Sequence, residues 1–498
     1  MKKLLCLLLV AVMLMTVLVS CKKKDNGSQD TTPSATAPTS DDPNRIPPEV
    51  KDFGGYEYKF VMDHQIEYQF QAPEEIGSDG INKALVERNK KVEALYNVKI
   101  VESRNPNGNT DGYAFLDSAS SSGDYFGDIY SNYAIKMIQS HSIAGFYLDL
   151  GELSSLRLDK EWWDQDFVSE FMINGHLYTL TGDIQTNDDI GEILTSMNLS
   201  LYNKTYNGQK NFYEIVVKNK AWTFEEFYNT WYNFGAKDTA GNGKVDSDDI
   251  VGYYYDCRTA SYMYMSSGLK AFTMENNKPV LSISSDKALR VMDNLTKITD
   301  SHANLKAVRI DDGNVNPGSY EGGNQHFAAG KALFVSNNFG DVLQHLLDME
   351  DTVVYPPFPK YDAAQERYYS LVHMCFEPIA ISANVEDAER TALLTEALCF
   401  YSDALEGEVM KVLLKERLTS EIETREILQL TLNSKVYDFE YTANIMDWTS
   451  QANNLFCAGE LSNYKGTMDS LSRAAVKGTG GGTLEKFLAT YGELNFRK

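Results

Sequence analysis

A strand, a helix and a second strand follow one another early in this chain of 498 residues. Residues 56–62 alternate side chains with the period of a half-buried strand. Residues 80–96 repeat apolar side chains at helical spacing, and Asp79 is placed to cap that helix. Residues 98–101 form a second strand-like run. Because such a unit joins parallel strands, the sequence predicts an α/β fold with a parallel sheet.

The same alternation of strands and helices continues along the chain. Thr223 and Glu226 have the spacing of a capping box, and Trp222 can pack on Phe227 as a hydrophobic staple, so a helix should begin there. The C-terminal third should be mostly helical. Further strands are predicted at 127–130, 176–180, 194–202 and 353–355, and further helices from Ser285, over 387–401 and from Thr483.

Residues 1–20 have the pattern of a secretory signal peptide. Two lysines precede an apolar run over residues 4–19, which is short for a membrane span. The run ends at Leu18-Val19-Ser20-Cys21, which resembles a bacterial lipobox. The resemblance implies cleavage before Cys21 and acylation of that cysteine, and hence a lipid anchor on the extracytoplasmic face of the cell membrane.

Residues 21–51 have the composition of a disordered tether. They are rich in Lys, Ser, Thr, Asp and Pro and carry almost no apolar side chain, so they cannot bury a core. The whole chain has 46 Lys and Arg against 70 Asp and Glu, a formal net charge of −24. A surface of this sign repels phosphate backbones, so no nucleic acid partner is expected.

Six cysteines occur, and their spacing excludes two common frameworks. Cys6 would leave with the signal peptide, and Cys21 would carry the lipid. The other four are far apart with no CxxC pair, so they form neither a dense disulfide framework nor a zinc site. Buried thiols are the expected state, with one or two disulfides as the alternative outside the cytoplasm, for Cys257, Cys375, Cys399 and Cys457.

Residues 238–249 resemble a twelve-residue EF-hand calcium loop. Gly243 stands at the turn position, and oxygen donors stand at loop positions 1, 5, 7, 9 and 12. Ala240 removes the usual ligand at position 3, and Asp at position 12 is shorter than the usual Glu, which implies weaker affinity. The alternative is a polar turn without metal. The predicted ligands of a structural Ca²⁺ are Asp238, Asn242, the Lys244 carbonyl, Asp246 and Asp249.

Familiar catalytic motifs are missing from the sequence. The seven histidines are too far apart to form HExxH. Neither GxSxG nor the phosphate-binding GxxxxGK[ST] occurs. The chain is therefore not predicted to be an enzyme, although two of its many carboxylates could in principle serve a glycosidase.

Six segments in order resemble the extracellular solute-binding lipoproteins of carbohydrate-uptake ABC transporters, of the bacterial family 1 type. The resemblance covers about residues 53–498 and stands behind the lipobox. The segments are Glu87–Glu93 with Tyr96–Ile100, Trp162–Asp164 with Ile173–Tyr178, Leu201–Lys204, Lys220–Thr223, Gly330–Phe334 and Tyr355–Pro359.

This resemblance implies a two-lobed, periplasmic-binding-protein-like α/β fold with discontinuous lobes and a helical C-terminal region. Lobe one would comprise residues 53–187 plus 336–402, and lobe two residues 188–335 plus 403–498. The ligand would bind between the lobes, and closure would create the surface that a permease reads. The protein would then be a lipid-anchored monomer that captures a sugar or oligosaccharide and delivers it to an ABC importer.

Candidate ligand contacts follow from the chemistry of sugars. Sugars present apolar C–H faces and a ring of hydroxyls, so a binder needs flat aromatic rings and planar polar side chains. The resemblance places such residues where the lobes should meet, and each of them could instead pack in the core or lie on the surface. The predicted contacts are Trp163, Asp183, Asn187, Asn338, Phe339 and Trp448. A core position is expected for Trp222, Trp231 and the tyrosines 253–255, 262 and 264.

Two other functions stay open on the sequence alone. One is a surface glycoside hydrolase, which turnover of the ligand would favour. The other is a calcium-stabilised carbohydrate-adhesive lipoprotein, which would bind polymer without affinity for soluble sugar. No motif identifies the sugar.

Overall fold

The computed structural model describes the last seven residues of the predicted tether, where Arg45 donates to the Phe400 carbonyl at 3.0 Å, and most of the chain after it. The described residues are 45–62, 70–71, 80–104, 118, 122, 124–186, 193–239, 241–243, 245, 249–276, 278–309, 320–346, 348–411, 422–476 and 482–493. None of the helices among them is long and apolar enough to cross a membrane.

Strands and helices alternate through the first two thirds of the described chain, and helices predominate in the last third. The strands are β1 (Tyr56–Met62), β2 (Val98–Arg104), β3 (Ile129–Ser131), β4 (Ile193–Asn198), β5 (Val251–Tyr255), β6 (Phe272–Glu275), β7 (Lys278–Leu281), β8 (Ala307–Arg309), β9 (Ala332–Asn338), β10 (Val353–Val354), β11 (Ser370–Leu371), β12 (Ile379–Ile381) and β13 (Lys435–Val436). The helices are α1 (Gly80–Tyr96), α2 (Ala134–Lys136), α3 (Gln165–Phe171), α4 (Leu199–Tyr206), α5 (Phe224–Phe234), α6 (Thr259–Ser266), α7 (Asp286–Asp300), α8 (Tyr320–Ala328), α9 (Phe339–His345), α10 (Ala388–Phe400), α11 (Asp403–Lys411), α12 (Ile422–Leu432), α13 (Phe439–Ala443), α14 (Trp448–Cys457), α15 (Tyr464–Val476) and α16 (Thr483–Glu493).

The first sheet has the strand order β12–β3–β1–β2. Strand β1 pairs in parallel with both β2 and β3, and β12 runs antiparallel to β3. Helix α1 connects β1 to β2 and buries Leu85, Val92 and Tyr96. The strand–helix–strand unit that the sequence predicts is therefore confirmed.

The second sheet has the strand order β10–β4–β9–β5–β8. Strand β5 is parallel to β8 and β9, whereas β4 is antiparallel to β9 and to β10. All five residues of β5 are buried, as expected for a strand covered on both faces. Two small sheets pair β11 with β13 and β6 with β7.

The chain returns from the second sheet to the first between β10 and β12. Position 336, where the sequence predicts a return to lobe one, falls inside β9, and β9 pairs in the second sheet. Strand β10 also pairs in the second sheet. The exact lobe boundaries stay a prediction.

Several helices begin where local signals in the sequence predict them to begin. Thr223 caps α5 by accepting a hydrogen bond from the Glu226 N–H at 3.3 Å, and the Trp222 and Phe227 ring centroids lie 5.6 Å apart. Ser285 caps α7 and Asp387 caps α10, each through its side-chain oxygen. These three predicted helix starts are confirmed.

Two predicted strands differ from the structure. The segment 176–180 forms only isolated bridges, because the Leu177 N–H donates to Asp149 and the Leu177 carbonyl accepts from Leu150. The strand predicted over 194–202 ends at Asn198. The Asn198 side chain accepts the Leu201 N–H at 2.9 Å and so begins α4.

The aromatic residues that the sequence assigns to the core are buried. Trp222 and Trp231 have no exposed surface, and the same holds within a few per cent for the tyrosines at 253–255, 262 and 264. Phe227 packs edge-on against both Trp222 and Tyr253. A layer of aromatic rings therefore joins α5 to the second sheet.

Two of the four cysteines of the folded region are joined. Cys257, after β5, and Cys457, at the end of α14, form a disulfide with a Cα–Cα distance of 4.9 Å. The prediction of thiols is wrong for this pair, because the fold brings together residues 200 positions apart. Cys399 is a buried thiol as predicted, whereas Cys375 is exposed in the turn before β12.

Candidate ligand-binding cleft

The carboxyl ends of strands from both sheets supply polar side chains to one region. Strand β3 leads into Asn132 and Tyr133, and β5 leads into Asp256 and Arg258. Ligands of open α/β sheets bind outside the carboxyl ends of the strands. These two edges are therefore the first place to look for a site.

The segment 373–377 brings the two edges together. Arg258 Nη1 lies 3.0 Å from His373 Nε2, which links this segment to the end of β5. The Ala134 N–H donates to the Phe376 carbonyl at 2.8 Å, which links it to the end of β3. Gln185 Nε2 donates to the Glu377 carbonyl. We define these facing groups, residues 132–134, 256–258 and 373–377, as the cleft.

Arg258 is the centre of the polar network in the cleft. Its Nε and Nη2 atoms donate to Asp256 Oδ2 at 3.0 and 2.7 Å, and its own backbone N–H donates to Asp256 Oδ1 at 2.7 Å. The Cys257–Cys457 disulfide holds the residue between them. The guanidinium is therefore fixed in position, and its side chain is still 31% exposed.

His373 is a neutral imidazole in this network. Its enclosed position, and secondly the Arg258 guanidinium, lower the pKa of His373 to about 3. Since a guanidinium can only donate, His373 Nε2 accepts from Arg258. The charge of Arg258 is matched by Asp256. The group thus offers hydrogen-bond donors and acceptors, which suits hydroxyl groups.

The exposed Cys375 thiol is not an activated nucleophile. Although the residue reaches the surface, partial desolvation raises the pKa of the thiol; Arg258 opposes this effect, and the charge of Glu377 adds to it. A thiol of raised pKa carries little thiolate at neutral pH. The chemistry of these residues therefore supports binding in preference to covalent catalysis.

Aromatic side chains border the polar network. Tyr133, which follows β3, is half-buried. Of the aromatic residues that we assign to the cleft, it is the one whose ring is partly exposed. Tyr262 and Tyr441 are buried, and their ring centroids lie 6.4 Å apart. Asp256, Arg258 and Cys375 all lie close enough to Tyr441 to influence its hydroxyl electrostatically.

The three predicted aromatic contacts are buried, with at most 1% of their surface exposed. Trp163 donates its indole N–H to Glu396 Oε2 at 2.9 Å, and Trp448 donates its indole N–H to Tyr464 Oη at 3.1 Å. Phe339 is buried with its ring centroid 6.5 Å from that of Tyr355. Packing is the observed role of these three rings, and their assignment to a ligand stays a prediction.

The predicted polar contacts lie near the edges of the sheets. Asp183 is half-buried and follows Gly182, whose backbone is so close to Trp162 that an added Cβ would lie 2.3 Å from its carbonyl oxygen. Asn338 ends β9, but its side chain caps α9 by accepting the Asp341 N–H at 3.0 Å. Asn187 lies outside the described residues. The assignment of these three to a ligand also stays a prediction.

The sequence analysis missed the residues that the structure brings together in the cleft. Asn132 and Tyr133 directly follow a predicted strand, and Asp256 and Arg258 directly follow a run of buried tyrosines. Their position after strands was a usable signal. The segment 373–377 carried no such signal, because only the tertiary fold places it between the two sheets.

The calcium-like loop is closed at its base by pairing of Lys237 with Ile250. Asp238 accepts the N–H groups of Gly241, Asn242 and Gly243, with N–O distances from 2.6 to 3.1 Å. Asp249 is fully buried and accepts the Thr239 N–H at 2.6 Å. Gly243 has a φ of 79°, which a turn of this kind requires.

The donor chemistry of this loop fits a hard cation in part. Each carboxylate has about four acceptor sites, so Asp238 and Asp249 can bind an ion while they accept N–H bonds. Asn242 is described, whereas Lys244 and Asp246 lie outside the described residues. Within the described part of the chain, no group of three or more His, Cys, Asp or Glu side chains is arranged for a metal ion. Calcium stays a prediction.

Solved structures are similar to this chain in fold, whereas no family model and no curated protein sequence matches it. The cyclic α-maltosyl-1,6-maltose binding protein of Arthrobacter globiformis is 12% identical, with a TM-score of 0.56 over 88% of this chain and 100% of that one. The galacto-N-biose/lacto-N-biose I-binding protein of Bifidobacterium longum is 12% identical, with a TM-score of 0.52 over 85% and 98%. An ABC transporter solute-binding protein of Thermotoga lettingae is 11% identical, with a TM-score of 0.52 over 87% and 100%.

These similarities establish the fold class. The two-lobed, periplasmic-binding-protein-like α/β fold predicted from the sequence is confirmed. Each matched chain is covered almost completely, so the likeness extends over the whole of its fold.

Proposed function

We propose that this protein is an extracytoplasmic solute-binding protein that captures a sugar or oligosaccharide between its two lobes and delivers it to the permease of an ABC importer. One observation carries the proposal: the segment 373–377 bonds to the carboxyl end of β5 through Arg258 and to that of β3 through the Ala134 N–H, so strand ends from both sheets meet there. A ligand held there would contact both halves of the fold at once.

Proteins of the same fold support a carbohydrate as the ligand. The structure from Bifidobacterium longum is a complex with lacto-N-biose, and that from Thermotoga lettingae is bound with α-D-tagatose. The Arthrobacter globiformis protein is named for a cyclic maltose-based sugar. The sizes of these ligands differ, so the fold itself does not select one sugar.

The chemistry of the cleft supports an uncharged ligand. Arg258 is neutralised by Asp256, and His373 carries no charge near neutral pH. Sugar hydroxyls both donate and accept hydrogen bonds, and such a network can satisfy them in both roles. The half-buried ring of Tyr133 can pack against the apolar face of a sugar.

We place the protein on the extracytoplasmic face of the cell membrane, as a monomer attached through a lipid on Cys21. The signal-like residues 1–20 and the lipobox support this location. The disulfide between Cys257 and Cys457 supports it independently, since disulfides persist outside the reducing cytoplasm.

We also propose that Ca²⁺ binds the loop 238–249 as a structural ion.

A screen of sugars tests the proposal. Thermal shift with mono- and oligosaccharides should identify a sugar that stabilises the protein, and calorimetry should then give saturable binding to one site. Chromatography of the sugar after incubation should return it unchanged. Release of reducing ends would favour a hydrolase instead, and binding to polymer alone would favour an adhesive lipoprotein.

Two arginine variants locate the site. Arg258→Gln should weaken sugar binding by about 10- to 150-fold, because hydrogen bonds to a charged group contribute about 1.5–3 kcal/mol. Arg473→Gln is the matched control, since Arg473 is exposed on α15 and bonds only locally to Ser470. Equal affinity of both variants for the sugar would exclude the cleft as defined.

A further inference from the structure

An ion pair outside the cleft joins the two sheet-bearing halves of the molecule. Glu170 lies on α3, which is connected to the first sheet through the bridge of Leu180 with Ile379. Lys270 lies in the segment after α6, which follows β5 of the second sheet. The Lys270 ammonium contacts Glu170 Oε2 directly. The contact therefore connects one half to the other.

The segment that begins α13 completes this contact. Glu170 Oε1 accepts the Phe439 N–H at 3.0 Å, and Asp438 Oδ2 accepts the Ala271 N–H at 3.1 Å. Asp438 Oδ1 also caps α13 by accepting the Tyr441 N–H at 2.7 Å. Because Tyr441 is a neighbour of the cleft, the contact and the cleft share one short helix. We call Glu170, Lys270 and Asp438 the latch.

Solvent reaches the latch through a cavity of about 180 Å³. Glu170 and Lys270 both line the cavity, which also touches the chain just before β11 and the end of β13. Glu170 is only 11% exposed, whereas Lys270 is 47% exposed. The buried carboxylate can therefore exchange protons with water through this opening.

The charges around Glu170 are unbalanced. Asp438 faces it from the start of α13, Asp166 lies on the same helix, and the cations Lys270 and Arg367 face the cavity from the second half and from the connection to β11. The nearby Lys435 is already paired with Asp164 at 2.8 Å, where Tyr437 also donates its hydroxyl. Two carboxylates of the latch thus share one closely bound cation.

Burial, and secondly the charge of Asp438, raise the pKa of Glu170 to about 7, although Lys270 opposes them. Burial also raises the pKa of Asp438. Since the ordinary value for Glu170 is 4.5, the described arrangement binds a proton more tightly than one in which Glu170 is solvated. The proton on Glu170 therefore stabilises the described arrangement fully below about pH 4.5, and this stabilisation is lost as pH rises through about 7.

We propose that Glu170, held between Lys270 and Asp438, is a proton-operated positioning residue that sets the balance between open and closed lobes and thereby the affinity for the sugar. The proposal rests on the proposed function, because it needs a ligand between the lobes. We take the described arrangement, in which Arg258 bonds to His373, to be the closed, sugar-binding form. Protonation of Glu170 favours this form over one with the latch broken.

Calorimetry of the full chain across pH tests the proposal, with a sugar from the screen as the probe. The dissociation constant should be about 10- to 30-fold lower at pH 5.5 than at pH 8.5, since a pKa of about 7 in the closed form against 4.5 for a solvated Glu170 changes the ratio of the two forms by up to that factor over this range. Glu170→Gln cannot ionise and should remove this dependence while it still accepts the Phe439 N–H. Lys270→Gln removes the cation that opposes protonation, so the midpoint should move to higher pH.

A matched control removes an ion pair that lies within one half. Glu226 and Lys210 are 2.7 Å apart and both belong to the α4–α5 region of the second half. Glu226→Gln should leave the pH dependence of sugar affinity unchanged. An affinity that is independent of pH in the unmodified protein, or a Glu170→Gln variant with the same pH dependence as the unmodified protein, would overturn the proposal.

A readout without sugar separates this proposal from the proposed function. Small-angle scattering of the ligand-free protein should show a larger radius of gyration at pH 8.5 than at pH 5.5, and Glu170→Gln should remove the difference. If no sugar binds but the scattering changes as expected, the function is wrong and the latch stands. If sugar binds but neither affinity nor scattering depends on Glu170, the latch is wrong and the function stands.

Discussion

The indole of Trp448 is held at the residue scale by a short relay of hydrogen bonds. Its N–H donates to Tyr464 Oη, and that hydroxyl donates to the Ile283 carbonyl at 2.9 Å. The Tyr264 ring centroid lies 4.7 Å from the centroid of the Trp448 ring. A ring with both its polar atom and its faces occupied in this way contributes to the stability of the fold.

Trp448→Ala should therefore lower the free energy of unfolding by about 3–5 kcal/mol, the usual cost of removing a large buried aromatic side chain. Urea unfolding measures this loss. Trp448→Phe keeps most of the apolar volume and should cost less. Unchanged stability together with weaker sugar binding would instead return Trp448 to the ligand.

Trp222 and Trp448 show how far single residues can be predicted from the sequence. Trp222 stands beside a capping box, and this local pattern correctly predicts a staple in the core. Trp448 stands in a polar segment without a clear apolar stripe, which favoured a role in ligand binding. Its burial depends on Tyr264, Ile283 and Tyr464, and no local pattern reveals contacts at such separations.

The disulfide is the strongest link between elements at the next scale. It joins the end of β5, which supplies Asp256 and Arg258 to the cleft, to the end of α14. Arg309, at the end of β8, adds a hydrogen bond to the Cys457 carbonyl at 2.9 Å. These contacts hold the second-sheet edge of the cleft against the C-terminal helices.

Replacing both cysteines, Cys257→Ser with Cys457→Ser, should lower the free energy of unfolding by about 2–4 kcal/mol, because the cross-link restricts the unfolded chain. Denaturant unfolding measures the loss, and Cys375→Ser is the control because Cys375 is a free exposed thiol. Sugar affinity should fall as well, since Arg258 loses its fixed position. A double variant as stable as the control would show that the disulfide does not form.

The loop 238–249 is the element for which calcium can be tested. Calcium should raise the melting temperature, because an ion that binds only the folded state stabilises it by about 2.7 kcal/mol at a hundredfold excess over Kd. Asp238→Asn should abolish this response while it keeps an acceptor oxygen for the Gly241 and Asn242 N–H groups of the turn. Identical melting in EGTA and in millimolar calcium would reduce the loop to an ordinary turn.

The molecule as a whole combines two sheets whose order the sequence predicts only in part. The parallel unit of β1, α1 and β2 follows from periodicity, and its register is observed along the full length of both strands. The antiparallel pairing of β12 with β3 does not follow from periodicity, because these strands are about 250 residues apart and meet only in the folded chain. The cleft depends on contacts between segments that are equally distant in the sequence. For this reason its residues could not all be predicted from the sequence.

Attachment to the membrane is tested on the whole cell. Cys21→Ser should release the protein from the membrane fraction, because a diacylated cysteine holds a protein firmly whereas a polar tether does not. Fractionation after a carbonate wash measures the distribution. Retention of the variant in the membrane would show that Cys21 is not the anchor.

Labelling of the Cys375 thiol tests most directly whether a sugar binds between the two halves. Cys375 is exposed within the cleft, Cys399 is buried, and Cys257 and Cys457 are joined, so peptide mapping after maleimide treatment isolates one position. A saturating sugar should slow the labelling of Cys375 by about tenfold or more, because it covers the thiol and closes the lobes over it. A sugar that binds in calorimetry but leaves this rate unchanged would contradict the account, since it would bind elsewhere on the molecule.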